Sequence, residues 1–210
     1  MFVLTIDQKS SQTRGDDVPA LLDHVARWQA VLGRDPFVLP MVRTVGDEVQ
    51  GVLDAAADVV DLALRLQRLG GWSVGIGAGP VSEPLADTAA ASAGPAFVHA
   101  RAAVERARGR AVSIPLAVEG EDPQAADDAE ALLQMLGLVV RRRSPEGWEI
   151  IDLMDTVPTQ RRAAEELDIS AQAVSQRLAT AMWQEEQRLH PLAARLLDDA
   201  GADRDAEADR

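Results

Sequence analysis

The string TQRRAAEELDISAQAVSQRL, Thr159–Leu178, holds the clearest candidates for a recognition site. On a helix, Val174, Leu178 and Ala181 make one stripe, and Gln172, Ser175, Gln176 and Ala179 make a second. The first stripe is apolar and must be buried. The second is short, polar and uncharged, a face free to enter the major groove of a duplex. Between Ile169 and Gln184 the only charge is Arg177. A preceding helix turns Ala163, Ala164 and Leu167 inward, Asp168-Ile169 make a short turn, and Ser170 can cap the next helix. The small alanines let the two helices cross closely. A second set of candidates is carboxylate. Asp7 closes the first apolar run, and Asp47 sits in a turn between two β-type runs. Aspartate oxygens are hard ligands of the kind magnesium takes. Gly75, Gly77 and Gly79 alternate and so share one strand face, which could admit a ligand or only a neighbouring helix.

Periodicity along the chain gives the helices and strands on which these residues sit. Phe2–Asp7 reads as a buried strand. Val18–Leu32 reads as a helix through Leu21, Leu22, Val25, Trp28 and Leu32, stopped by Gly33. Phe37–Val45 and Val49–Leu53 read as a hairpin around Gly46-Asp47. Asp54 can cap a helix with Val59, Leu62, Leu66 and Leu69 on its apolar stripe, and Gly70-Gly71 ends it. Trp72–Ala78 is a strand, Pro95–Ala107 a helix and Ala111–Val118 a strand. The order β-α-β-β-α-β, then α-β, predicts an α+β, ferredoxin-like domain over residues 1–118. The acidic, proline-containing string Glu119–Asp128 reads as a linker. Residues 129–198 read as all-helical, with helices at about Ala129–Leu138, Pro145–Met154, Thr159–Leu167, Ala171–Glu186 and Pro191–Asp199. Residues 199–210 read as a disordered tail.

The string IS-x-x-AVS-x-x-L resembles the helix-turn-helix of bacterial transcription regulators. That resemblance implies a double-stranded DNA partner. It implies that Gln172 and Gln176 reach base edges, with adenine the favoured partner of a glutamine amide. It places Ser175 on phosphate or base, and Thr159, Gln160 and Arg177 on phosphates, with Ser170 at the helix start. Arg141-Arg142-Arg143 adds a basic run that either clamps phosphates or is solvated at a turn. Two half-sites favour a homodimer, for which Trp183–Leu197 offers apolar surface, unless that surface belongs to the intramolecular core.

In the front half, Ile6-Asp7, Thr44–Glu48 and Val74–Val81 (VGIGAGPV), followed by Gly94–Arg101 (GPAFVHAR), resemble the class III nucleotide cyclase fold. The resemblance implies divalent metal at Asp7 and Asp47 and nucleotide chemistry near Gly75 and Gly77. The family's supporting asparagine and arginine fall at His99 and Ala103, and Arg43 lies in the region of its purine-selecting lysine. A catalytic set is therefore not expected. The whole layout, with Gly46–Gly51, Gly75-Ile76-Gly77 and Gly94–Phe97, resembles the SatD family of bacterial proteins.

The composition limits the function classes. The chain has 210 residues, 47% hydrophobic, enough for a packed core. A net charge of −13 argues against nonspecific attachment to nucleic acid or anionic membrane, though not against a local reading face. Cysteine is absent, so thiolate metal sites and cysteine catalysis are excluded. No apolar run reaches a membrane span, and the N-terminal run lacks a basic segment before it, so a cytoplasmic protein is expected. No Ser–His–Asp arrangement or phosphate-binding glycine loop is visible. The sequence therefore predicts a DNA-binding regulator whose cyclase-like domain is a ligand sensor or dimerisation scaffold. No cofactor is expected, beyond magnesium or a nucleotide bound without turnover. A metal-dependent cyclase-like enzyme and a protein-interaction module are the alternatives.

Overall fold

The computed structural model describes residues 1–9, 15–109 and 113–202. Its elements run β1 (Phe2–Gln8), α1 (Val18–Leu32), β2 (Phe37–Arg43), β3 (Glu48–Leu53), α2 (Ala56–Leu69), β4 (Trp72–Ala78) and a 3-10 turn (Ala89–Ala91). They continue with α3 (Pro95–Ala107), β5 (Leu116–Glu119), α4 (Pro123–Arg142), α5 (Pro145–Met154), α6 (Gln160–Glu166), α7 (Ala171–Thr180) and α8 (Trp183–Ala200). The fold is mixed α+β. The five strands form one sheet in the order β2-β3-β1-β4-β5. Central β1 is antiparallel to both neighbours, β2 is antiparallel to β3, and β4 pairs with β5 in parallel.

Both faces of the sheet are covered along β4 and most of β1, which is why these two strands read as continuous apolar runs rather than alternating ones. Phe2, Leu4 and Ile6 of β1 point into the main core, where they meet Leu21 and Trp28 of α1 and Val59, Leu62 and Leu66 of α2. Val3 points the other way, into a smaller cluster with Val52, Ala96 and Ala100, the last two from α3. Gly75 and Gly77 permit that second layer. A Cβ on Gly75 would stand 2.3 Å from the Val104 backbone nitrogen, and one on Gly77 would stand 2.1 Å from the Ala96 carbonyl oxygen. The strand and helix backbones are in direct contact there, so this glycine face takes a helix and not a ligand.

The expected linker is not one. Asp122 caps α4, its Oδ1 accepting from the backbone nitrogens of Gln124 at 2.9 Å and Ala125 at 3.0 Å. Ala125, Ala126 and Ala129 are buried in the main core, so the alanines of this acidic string form a packed face and its acids the wet one. Helices α4 and α8 both pack on the sheet-covering layer through Leu133, Leu136, Ala193 and Leu197. The chain therefore does not divide at residues 119–128. The helices α5–α7, with Ala181 just after α7, form a cluster of their own from Ile150, Ile151, Ala163, Ala164, Val174, Leu178 and Ala181.

Smaller expectations also shift. Strand β2 stops at Arg43, because Thr44–Asp47 form the hairpin turn. Helix α2 starts after Ala55 without a side-chain cap from Asp54, and Leu69 is exposed rather than on the core stripe. The last strand covers 116–119, since Pro115 has no N–H to give a ladder; residues 111–112 of the expected strand lie outside the described residues. Helix α7 ends at Thr180, and α8 begins past Met182, whose φ of 53° is left-handed, and runs through Pro191. Of the expected disordered tail, Asp199 and Ala200 belong to α8, and the buried Ala200 accepts from the Asp122 backbone nitrogen at 3.1 Å. Residues 203–210 lie outside the described residues. No helix among the described residues is long and apolar enough to cross a membrane.

Candidate functional site

Helix α6 is capped by Thr159, whose hydroxyl accepts from the Arg162 backbone nitrogen at 3.2 Å. After α6 the chain turns through Asp168 in the left-handed region, φ 51°, a conformation aspartate tolerates better than most residues. Ser170 then caps α7, its hydroxyl accepting from the Ala173 backbone nitrogen at 3.1 Å. Half-buried Leu167 and Ile169 pack under the turn. Val174, Leu178 and Ala181 are buried, as their spacing predicts. Gln172, Ser175, Gln176 and Ala179 are all exposed on the opposite side of α7, and Gln160 is half-buried. Thr159 and Ser170 thus act first as caps that orient α6 and α7.

Charge around α7 is arranged differently from what the sequence suggests. Arg177 donates to Glu149 on α5 at 2.8 Å. Arg143 is not a free phosphate clamp. Its side chain is only 2% exposed. It pairs with Glu186 of α8, donates to the Ala181 carbonyl at 2.8 Å and lies over the Trp148 ring. Arg141 and Arg142 are exposed. The apolar face of α8 that could have served a dimer is used inside the main core. Between the end of α4, the start of α5 and the flank of α7 lies a cleft of about 380 Å3, lined by Arg142, Ser144, Gln176, Arg177 and Thr180 among others.

The two halves are tied by Arg68 of α2. Its guanidinium grips Asp152 of α5 through two hydrogen bonds of 2.5 and 2.6 Å and lies 3.8 Å from the centre of the Trp148 ring.

A second concavity, about 500 Å3, opens on the sheet face that α3 only partly covers. Asp7, Asp47, Glu48, Thr5, Gln50 and Phe97 are among its lining residues. The expected pair Asp7 and Asp47 does share this pocket. The residue set directly opposite Asp7 in the β1–β3 register, however, is Glu48, because Asp47 belongs to the turn. Arg108 donates to Asp7 at 2.6 Å and reaches Glu48 at 3.5 Å, and Arg101 donates to Glu48 at 2.9 Å. Burial pushes the Asp7 carboxyl above its ordinary range, and Arg108 opposes that shift. With Asp7 and Glu48 already held by guanidinium groups, the residues as arranged do not fit a divalent ion. Sequence reasoning missed Arg101 and Arg108. The signal was present, since Phe97 and Arg101 share one stripe of α3 and Arg108, the residue that caps it, continues that stripe. His99 faces the other way, its Nδ1 2.9 Å from the Ala78 carbonyl, and Ala103 is buried against Ala117 of β5. Arg43 pairs with Asp16.

Set against known proteins, the chain matches no family model, no curated protein and no solved structure.

Proposed function

We propose that the chain is a DNA-binding transcriptional regulator in which α6, the turn at Asp168 and α7 form a helix-turn-helix. The observation that carries this reading is the exposed, uncharged face of Gln172, Ser175, Gln176 and Ala179 on a helix anchored from behind by its own apolar cluster. An ordinary solvated helix face in a chain of net charge −13 would carry acids. Caps at Thr159 and Ser170 hold the two helices in a defined geometry, which base recognition requires. The strand order β2-β3-β1-β4 supports reading the front half as ferredoxin-like, in line with the cyclase-like and SatD-like resemblances. We read that half as a scaffold. Its glycine strand is closed by α3, and its carboxylates are paired with arginines.

The test is selection from a random duplex library by the purified full-length chain, followed by binding measurements between 50 and 200 mM salt. A selected motif, with choice relaxed in Gln172→Ala and Gln176→Ala at about 1–3 kcal/mol for each lost base contact, supports the reading. No selected motif and no salt-dependent binding would overturn it. It would favour the protein-interaction reading, to which the net charge of −13 is better suited.

A further inference from the structure

Most of this surface is acidic or self-neutralised. Arg106 pairs with Glu119 and Glu130, Arg65 with Asp61, Arg34 with Asp58, and Arg162 with Glu165 and Glu166. The sheet-face pocket holds Asp7, Asp47 and Glu48 against Arg101 and Arg108. The cleft beside α7 differs in its lining, although two of its three arginines are paired from behind, Arg143 with Glu186 and Arg177 with Glu149. Among the described residues, it is lined by arginines, hydroxyls, an amide and small residues, with no carboxylate in its wall.

Arg142, Arg177, Gln176 and Thr180 in that wall carry donors of the kind that recognise an oxyanion, while the Ser144 hydroxyl is already bonded to Glu146 and to the Gly147 amide. Arg142 is exposed and has no ion-pair partner among the described residues. Arg177 is held in place by Glu149, which uses one nitrogen of a five-donor guanidinium. Thr180 adds a hydroxyl, and Gln176 belongs both to this wall and to the exposed face of α7. The cleft is therefore continuous with the face proposed to read bases. Its volume of about 380 Å3 holds a phosphodiester with room to spare.

The placement of Arg142 matters most. It is the last residue of α4, and α4 is packed in the main core through Leu133, Leu136 and Val140. The adjacent Arg143 fixes the end of that helix by its buried pair with Glu186. Arg142 thus projects toward α7 from the rigid sheet-covering layer and not from the α5–α7 cluster. We propose that this cleft is a phosphate site in which Arg142, supplied by the sheet half, and Arg177, supplied by α7, grip one backbone phosphate of the duplex that α7 reads. The proposal rests on the DNA reading above and adds a partner group to it. It makes the sheet half part of the nucleic-acid interface.

The experiment uses the full chain and four proteins: wild type, Arg142→Ala, Arg142→Lys and Arg141→Ala. Affinity for the selected duplex and for an unrelated duplex is measured between 50 and 200 mM salt. Losing one phosphate contact should flatten the slope of log K against log salt by about 0.9. Arg142→Ala should do so and weaken both duplexes by the same factor, while Arg142→Lys restores the slope and Arg141→Ala leaves it unchanged. If Arg142→Ala binds both duplexes with the wild-type slope, the cleft proposal fails and the DNA reading stands. A separate arm melts each protein in inorganic phosphate or in chloride at equal ionic strength. If no duplex binds, a phosphate-dependent rise in Tm that Arg142→Ala abolishes keeps the cleft as a site for free phosphate and discards the DNA reading. If neither duplex nor phosphate acts, both are overturned.

Discussion

Asp7 and Glu48 face each other directly across β1 and β3, with side chains 15% and 13% exposed, and the guanidinium of Arg108 bridges them. Two like charges opposite each other on adjacent strands repel, so this register is tolerable because α3 delivers a positive group between them. Arg108→Ala should lower stability by about 1 kcal/mol, a figure kept small because Arg108 is 38% exposed and screened by solvent. Adding Asp7→Asn to that variant should recover most of the loss. Chemical denaturation of the two single variants and the double variant measures the coupling. Manganese should not raise the wild-type Tm; a saturable rise lost in Asp7→Asn would restore the metal expectation.

The same residue has a pH signature. Burial raises the Asp7 pKa in the folded chain above its unfolded value, so the folded state holds that proton more tightly. The resulting penalty is absent below the ordinary aspartate range and develops as pH rises through it. The stability of Asp7→Asn relative to wild type should therefore improve between about pH 3 and pH 7. A difference that stays constant or runs the other way refutes this sign.

Arg143 and Glu186 are a different case, because both side chains are more than nine-tenths buried. Burial alone would raise the Glu186 carboxyl, but hydrogen bonds from His190 and Arg143 hold it below the usual range. Its contribution to stability is complete above the ordinary glutamate range and is lost as pH falls through the folded-state value. Arg143→Ala strands a buried carboxylate and should cost about 3–5 kcal/mol. Arg143→Met with Glu186→Leu should come much closer to wild type. Urea titration at pH 7 separates these outcomes.

The glycine strand gives a packing test. Gly77→Ala would place a methyl carbon 2.3 Å from the Ala100 backbone nitrogen, so α3 must lift off the sheet. A loss of more than about 3 kcal/mol, or failure to fold, is expected. Gly33→Ala meets open space and faces only the cost of its left-handed φ of 66°, about 1 kcal/mol. Equal and small effects at both positions would mean that the strand face is open after all.

At α7, Ser170→Ala removes the cap and should cost about 1 kcal/mol. Exposed Gln176→Ala should change stability by less than about 0.5 kcal/mol. Thermal melts distinguish a residue that positions the helix from one available to a partner.

The elements around each site are legible in the residues alone, because they depend on local rules. The two stripes of α7, the Ser170 cap and the strand run of β1 are set by residue spacing and neighbouring hydrogen bonds, whereas Thr159, read from the sequence as the first helical residue, is the cap before α6. The exposed set Gln172, Ser175, Gln176 and Ala179 follows directly from the burial of Val174 and Leu178. Whatever depends on which distant surfaces meet is settled only by the packing of the whole chain. The β1–β3 register put Glu48, not Asp47, opposite Asp7. Docking of α3 on Gly75 and Gly77 brought Arg101 and Arg108 to those carboxylates. The acidic string before residue 129 became helix because its alanines found the core of the sheet half. Among three consecutive arginines, Arg143 turned inward only because α8 carries Glu186 past it, while Arg142, one residue earlier, stayed in solvent beside α7. Arg142 is the last helical residue of α4, whereas Arg143 follows it in extended backbone (φ −64°, ψ 138°), and no local rule says which of the two directions will meet a partner.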